Sequence, residues 1–135
     1  MFYFANLRKY MIEMIKTNKR IMKKGFLIDM DGVIYANDTL IPGADKFIGQ
    51  LQKKNIPFLF MTNNSQRTPL DTVNKVAKMG IIIKEENVYT SAMATTSFLS
   101  FMKPKGTEYV LGEGGLITSL SKEGYNLVNN SPDFV

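Results

Sequence analysis

Two carboxylates separated by a single residue, in the run Asp29-Met30-Asp31-Gly32, are the groups in this sequence best suited to chemistry. Held close together they repel one another, and a divalent, oxygen-seeking cation relieves that repulsion. An aspartate in such a position can attack phosphorus and carry an aspartyl-phosphate. Its neighbour can protonate the leaving alkoxide and later take a proton from the attacking water. Gly32, with no Cβ, lets the chain turn sharply and come close to a ligand. The competing reading is an Asx-type turn that only ends a strand. A calcium loop is excluded, because the sixth and twelfth places counted from Asp29 hold Ile34 and Leu40 where an EF-hand needs Gly and Glu.

A second polar cluster, Thr62-Asn63-Asn64-Ser65, closes another apolar run. A hydroxyl and backbone N–H groups directly after a strand make a concavity for an anion. Thr62 and the Asn63 backbone are the candidates for that role, whereas Asn64, Ser65 and Gln66 read as a polar turn bonded to itself. The glycine-rich Gly112-Glu113-Gly114-Gly115 lacks the Lys-Ser/Thr of a P-loop and does not fit G-x-G-x-x-G, so a tight strand-to-helix turn is expected there.

The elements that must hold these groups alternate. Phe26-Leu27-Ile28 reads as a buried strand running into the Asp29 turn, and Ile56–Met61 as a second strand. Between them Ala44, Phe47, Ile48 and Leu51 follow the i, i+3, i+4, i+7 spacing of an amphipathic helix, with Asn55 as its stop. Thr68-Pro69 opens another helix, with Thr68 as N-cap, Asp71 in the first turn, an expected buried face of Leu70, Val73, Val76 and Ala77, and Gly80 at its end. Further on come a strand near Asn87–Tyr89, a helix from about Ala92 to Phe101, a strand at Glu108–Leu111, a helix through Leu116 and Leu120, and a short strand near Leu127. Such alternation predicts an α/β fold, a parallel sheet covered by helices on both faces. Ligands of open α/β sheets bind beyond the carboxyl ends of the strands, where both polar clusters fall.

Composition narrows the chemistry. The 135 residues contain neither Cys nor His, which removes disulfides, thiol nucleophiles, the Ser-His-Asp triad and His-ligated zinc. Hydrophobic content of 44% and charged content of 21% are those of a globular chain, and no apolar run reaches membrane-spanning length. The absence of Cys fits a cytoplasmic protein. The net charge of +5 is unevenly spread. Residues 1–24 hold seven cations and one anion, while the remainder holds ten cations and eleven anions, so the basic signal belongs to an N-terminal extension. That extension reads as a tail, or as sequence upstream of a start at Met22, ahead of an amphipathic surface-seeking helix. It lacks the compact apolar stretch of a secretory signal.

The motifs together resemble the haloacid dehalogenase superfamily of aspartyl phosphatases, in its NagD-like branch with a large inserted cap. Asp29-Met30-Asp31-Gly32-Val33 is similar to the family's first motif and Phe60-Met61-Thr62-Asn63-Asn64-Ser65 to its second. The stretches Tyr89–Thr95, Val110–Gly114 and Pro132–Val135 are similar to the nucleotide-phosphatase members, so the resemblance runs from Lys24 to the last residue. It implies that Asp29 is the nucleophile and a Mg²⁺ ligand. Asp31 would be the general acid/base and give its carbonyl to the metal, and Thr62 with the Asn63 backbone would hold the phosphoryl oxygens. It further implies a division into the extension (1–23), the first half of a Rossmann-like core (24–88) and the beginning of a cap (89–135).

Family members also carry a Lys motif and an acidic pair after the cap. Lys84, Lys103 and Lys105 lie in the wrong region to replace that Lys, and this chain is expected to end inside the cap, leaving the Asp29 strand as an exposed sheet edge. The activity implied is Mg²⁺-dependent hydrolysis of a small phosphorylated metabolite or nucleotide monophosphate, with little or no turnover expected of this chain alone. The alternative is a non-catalytic binding or regulatory module that associates with a complete homologue. No nucleic-acid polymer and no membrane is expected as partner. Were the basic extension a nucleic-acid or membrane binder, association would fall steeply with added salt and vanish on deletion of residues 1–21. Salt-independent behaviour of the full chain and of that deletion is the expected outcome.

Overall fold

In a computed structural model of the chain, residues 24–135 are described, and the extension with its alternative readings lies outside them. Strand β1 (Phe26–Asp29) is followed by a small antiparallel hairpin, β2 (Tyr35–Ala36) and β3 (Thr39–Leu40), and then by helix α1 (Ala44–Lys53). Strand β4 (Phe58–Thr62), helix α2 (Pro69–Lys78), a single 3₁₀ turn (Glu85–Asn87) and strand β5 (Val88–Thr90) complete the first part. Helix α3 (Ser91–Met102), β6 (Thr107–Glu108), α4 (Gly114–Lys122) and β7 (Asn126–Leu127) follow.

The main sheet is parallel, in the order β1-β4-β5, with Phe26 opposite Phe58, Asp29 opposite Met61 and Thr62 opposite Thr90. Its core draws Ile28, Phe60 and Val88 from the strands, Ile48 and Leu51 from α1, Val76 from α2, and Ile81 and Ile83 from the connection after it. Met30, Ile34 and Tyr35 extend the same core beneath the hairpin. Phe60 is wholly buried, and a side chain taken fully out of water contributes about 1.5–3 kcal/mol. The site therefore stands at the end of strands anchored in this core.

Both helices of this first part form where their end signals predict. Thr68 Oγ1 accepts from the Asp71 N–H at 3.1 Å while Asp71 Oδ2 accepts from the Thr68 N–H at 2.9 Å, a reciprocal capping box. Two expected core positions lie elsewhere. Leu70 is half exposed, and Thr72 is buried in its stead, its hydroxyl satisfied by the Thr68 carbonyl at 3.1 Å. Phe47 lies at the rim, its ring edge-on to Phe26 with centroids 5.6 Å apart. The strand expected over Glu108–Leu111 is only Thr107–Glu108, because its partner β7 is equally short, and Leu111 is left in solvent.

The expected boundary at residue 88/89 falls within β5, all three residues of which pair with β4. The β6 and β7 strands form a separate parallel pair, extended by a bridge from Glu108 to Phe134. Asp133 anchors that segment: the Lys103 ammonium and the Thr107 N–H bond its carboxylate and pull its pKa down to about 2. No helix among the described residues is long and apolar enough to cross a membrane.

Glu108 is the odd residue here. It is buried, its Oε1 has no hydrogen-bond partner, and burial raises its pKa above the ordinary carboxylate value. A raised carboxyl pKa means that the neutral form suits the fold, so stability is lost as pH climbs from the ordinary Glu range through the raised value. Glu108→Gln removes that loss. Its melting temperature should match the parent at low pH and exceed it increasingly toward neutrality. Equal melting temperatures across that range would show that the Glu108 carboxylate is solvated after all.

Candidate functional site

The carboxyl ends of β1 and β4 lie side by side, which follows from the register that sets Asp29 opposite Met61. Asp29 ends β1, exposed, with its Oδ1 accepting from the Met30 N–H at 2.8 Å. Met30 points into the core, and its carbonyl accepts from the Val33, Ile34 and Tyr35 N–H groups at 3.3, 2.9 and 3.3 Å. The chain thus winds around Met30 and presents Asp29 and Asp31 to solvent. Gly32 allows this turn through its positive φ of 79°; a Cβ there would meet nothing within 4 Å, so the requirement is backbone conformation rather than space. The Gly32 N–H closes the turn on the Tyr35 carbonyl at 2.8 Å.

Thr62 ends β4, buried, and faces the same place. Its hydroxyl is 3.5 Å from Asp31 Oδ2 and accepts from the Asn64 N–H at 3.1 Å. The Gln66 N–H bonds Asn64 Oδ1 at 2.9 Å, so Asn64 to Gln66 form the self-bonded polar turn expected of them. Asn63 lies exposed between these bonds, and its carbonyl accepts from Ser91 Oγ at 2.8 Å. Asp29, Asp31, Thr62 and Asn63, widely spaced in the chain, are gathered at one end of one sheet.

Three participants were not foreseen. Ser91, the first residue of α3, holds the Asn63 carbonyl, and the Thr90-Ser91 step at a third strand end was the available signal. Tyr35 is buried beneath the carboxylates, and burial, then Asp31, push its phenol above its ordinary pKa of 10.0, with Arg67 opposing them. Lys75 lies over the Tyr35 ring, 3.9 Å from its centroid and 3.4 Å from Asp38. Arg67, Lys75 and Lys78 line a cleft of about 550 Å³ beside this cluster, together with Asp38, Asp71 and Asn74.

The donor set suits a hard cation. Among the described residues no group of three or more His, Cys, Asp or Glu side chains could hold a metal ion. Two exposed carboxylates can nevertheless hold Mg²⁺, an ion that keeps several of its waters and takes only one or two protein carboxylates.

A family model described as haloacid dehalogenase-like hydrolase matches residues 26–126, a span that includes every residue of this candidate site. The chain belongs to the haloacid dehalogenase-like hydrolases. Within that family it is 43% identical over 110 residues to a dihydroxyacetone phosphatase of Corynebacterium glutamicum, covering 82% of this chain and 40% of that protein. It is 41% identical over 112 residues to an acid sugar phosphatase of Staphylococcus saprophyticus, covering 83% and 42%. Among solved structures it resembles NagD from E. coli, with a TM-score of 0.78 at 38% identity over 83% of this chain and 44% of that one. It also resembles a 4-nitrophenylphosphatase of Thermotoga maritima, with a TM-score of 0.76 at 34% identity over 82% and 42%. The NagD-like branch and the Rossmann-like parallel core are therefore as the motifs imply. The chain spans about two fifths of the length of these relatives.

The electrostatics of this cluster are open to direct reading through Tyr35. Asp31→Asn removes a charge that disfavours the phenolate, so the Tyr35 pKa should fall while burial keeps it raised. Arg67→Gln should move it upward. Titration of ¹³C-labelled tyrosine checks both signs, and an unmoved Tyr35 in Asp31→Asn would separate Tyr35 from the acidic pair.

Proposed function

We propose that the chain carries the nucleophile half of a Mg²⁺-dependent phosphomonoester hydrolase. The observation that supports this most is the meeting of Asp29 and Asp31 with Thr62 and Asn63 at adjacent carboxyl ends of β1 and β4.

In this reading Asp29 Oδ attacks phosphorus, forming a new P–O bond as the ester P–O bond breaks. Asp31 gives its proton to the departing alkoxide. Water then attacks the aspartyl-phosphate, Asp31 takes the water's proton, and Asp29 is released as carboxylate together with inorganic phosphate. Thr62 Oγ and the Asn63 N–H orient the phosphoryl oxygens, with Ser91 steadying the Asn63 peptide. Asp29 and the Asp31 carbonyl would hold Mg²⁺, which when bound offsets the negative charge shared by phosphate and carboxylates. The relatives' names point to a sugar or triose phosphate as substrate, and a nucleotide monophosphate belongs to the same chemical class. In the division that goes with this reading, the first half of the core runs from about Lys24 to the end of β5, and the cap begins from about there.

A second reading, a module that pairs with a complete homologue, draws on β1. It forms an edge of the three-stranded sheet, and Phe26 and Leu27 on it are about half exposed. Co-purification with a full-length homologue would favour this reading, and a well-behaved monomer would count against it.

With only two acidic side chains gathered at the site among the described residues, this chain should be a slow or inactive catalyst. Hydrolysis of an aryl phosphate is expected below about 0.1 s⁻¹, against a typical kcat on the order of 10 s⁻¹. The residual rate should need Mg²⁺ and disappear in Asp29→Asn. A rate that survives Asp29→Asn or ignores Mg²⁺ would refute the assignment, and robust Mg²⁺-dependent turnover would refute the predicted slowness.

A further inference from the structure

The glycine-rich run Gly112–Gly115, which fits no phosphate-binding pattern, has a structural partner in the second motif. The Gly115 N–H donates to the Gln66 carbonyl at 2.9 Å, and Gln66 Nε2 donates to Glu113 Oε1 at 2.8 Å. The approach leaves no room for a side chain. A Cβ on Gly115 would collide with the Ser65 carbonyl oxygen and lie 2.7 Å from the Gln66 carbonyl carbon and 2.8 Å from the Arg67 carbonyl oxygen. All three obstacles are backbone, which cannot rotate aside. Gly114, one residue earlier on the same helix, has nothing within 4 Å of its own Cβ position.

From this contact an unbroken series of hydrogen bonds reaches the acidic pair. Gly115 N–H bonds the Gln66 carbonyl at 2.9 Å, Gln66 N–H bonds Asn64 Oδ1 at 2.9 Å, Asn64 N–H bonds Thr62 Oγ1 at 3.1 Å, and Thr62 Oγ1 lies 3.5 Å from Asp31 Oδ2. Ser91 holds the loop from its other side through the Asn63 carbonyl. The 63–67 loop is thereby clamped between the first turns of α3 and α4. We infer that Gly115 is a positioning residue for the phosphoryl-binding loop, fixing the places of Thr62 Oγ and the Asn63 N–H through the Ser65–Arg67 backbone. This inference rests on the assignment of Thr62 and Asn63 to phosphate.

The test compares Gly115→Ala with Gly114→Ala in the full chain. Both substitutions improve helix propensity by similar amounts, so an effect on α4 alone would make them alike. Two readouts are taken from ¹⁵N-labelled protein. One is hydrogen exchange of the Asn64 and Gln66 amides without ligand. The other is the affinity for inorganic phosphate with Mg²⁺, followed at the Asn63 amide. Gly115→Ala should speed exchange at both amides and weaken phosphate about tenfold or more, the scale of losing one hydrogen bond to a charged group. Gly114→Ala should do neither. If Gly115→Ala does not fold, Asn64→Ala breaks the middle of the series and should weaken phosphate similarly while the protein stays folded. Identical behaviour of the two glycine variants, or undiminished phosphate affinity in Asn64→Ala, would overturn the inference. A parent chain that shows no phosphate response at Asn63 would remove the phosphate assignment itself, and the exchange data would still decide whether Gly115 clamps the loop.

Discussion

Parallel pairing of Phe26–Asp29 with Phe58–Thr62 is the constraint on which the rest of the molecule depends. Successive side chains on a strand point to opposite faces, so a slip of one residue would turn Ile28 and Phe60 out of the core and carry Asp29 away from Thr62. The apolar contacts that fix the register are the same contacts that bring the acidic pair to the Thr62–Asn63 strand end. Packing and chemistry are therefore coupled through one ladder. Met30 shows this coupling within three residues: its side chain is buried while Asp29 and Asp31 on either side face solvent.

The site is built from short-range devices on a rigid base. A positive φ at Gly32 and three N–H groups converging on the Met30 carbonyl hold the first motif over the buried Met30, Ile34 and Tyr35. The second motif is more dependent on its surroundings, since Ser91 and Gly115 restrain the 63–67 loop from elements well beyond it in the chain. Such support from helix ends is what the proposed phosphoryl-binding role needs, because small misplacements of an orienting donor weaken transition-state stabilisation steeply.

Much of this was legible in the sequence because strand ends, caps and turn residues act locally. The Asp29 and Thr62 clusters each interrupt an apolar run, and Thr68-Pro69 with Asp71 states its own helix start. What escaped notice was non-local or geometric. Helical spacing identifies a stripe but not where the core stops, so Leu70 and Phe47 read as buried when they lie at the margin. Glu108, a charged residue in a short strand, gave no sign of being enclosed. The contact of Gly115 with Ser65–Arg67 joins distant stretches, and nothing in either stretch alone announces the other. Tyr35 likewise gains its electrostatic role only from the fold that sets Asp31 and Arg67 around it.

The central claim is that Asp29 and Asp31, with the neighbouring strand end, form one cation and phosphoryl site. Its most direct test is a Mg²⁺ titration followed in the ¹H–¹⁵N spectrum of the parent chain and of Asp29→Asn. Shifts concentrated at residues 29–32 and 62–63, and lost in the variant, are the predicted result. Shifts centred on another acidic region such as Glu85-Glu86, or a response unchanged by Asp29→Asn, would contradict it.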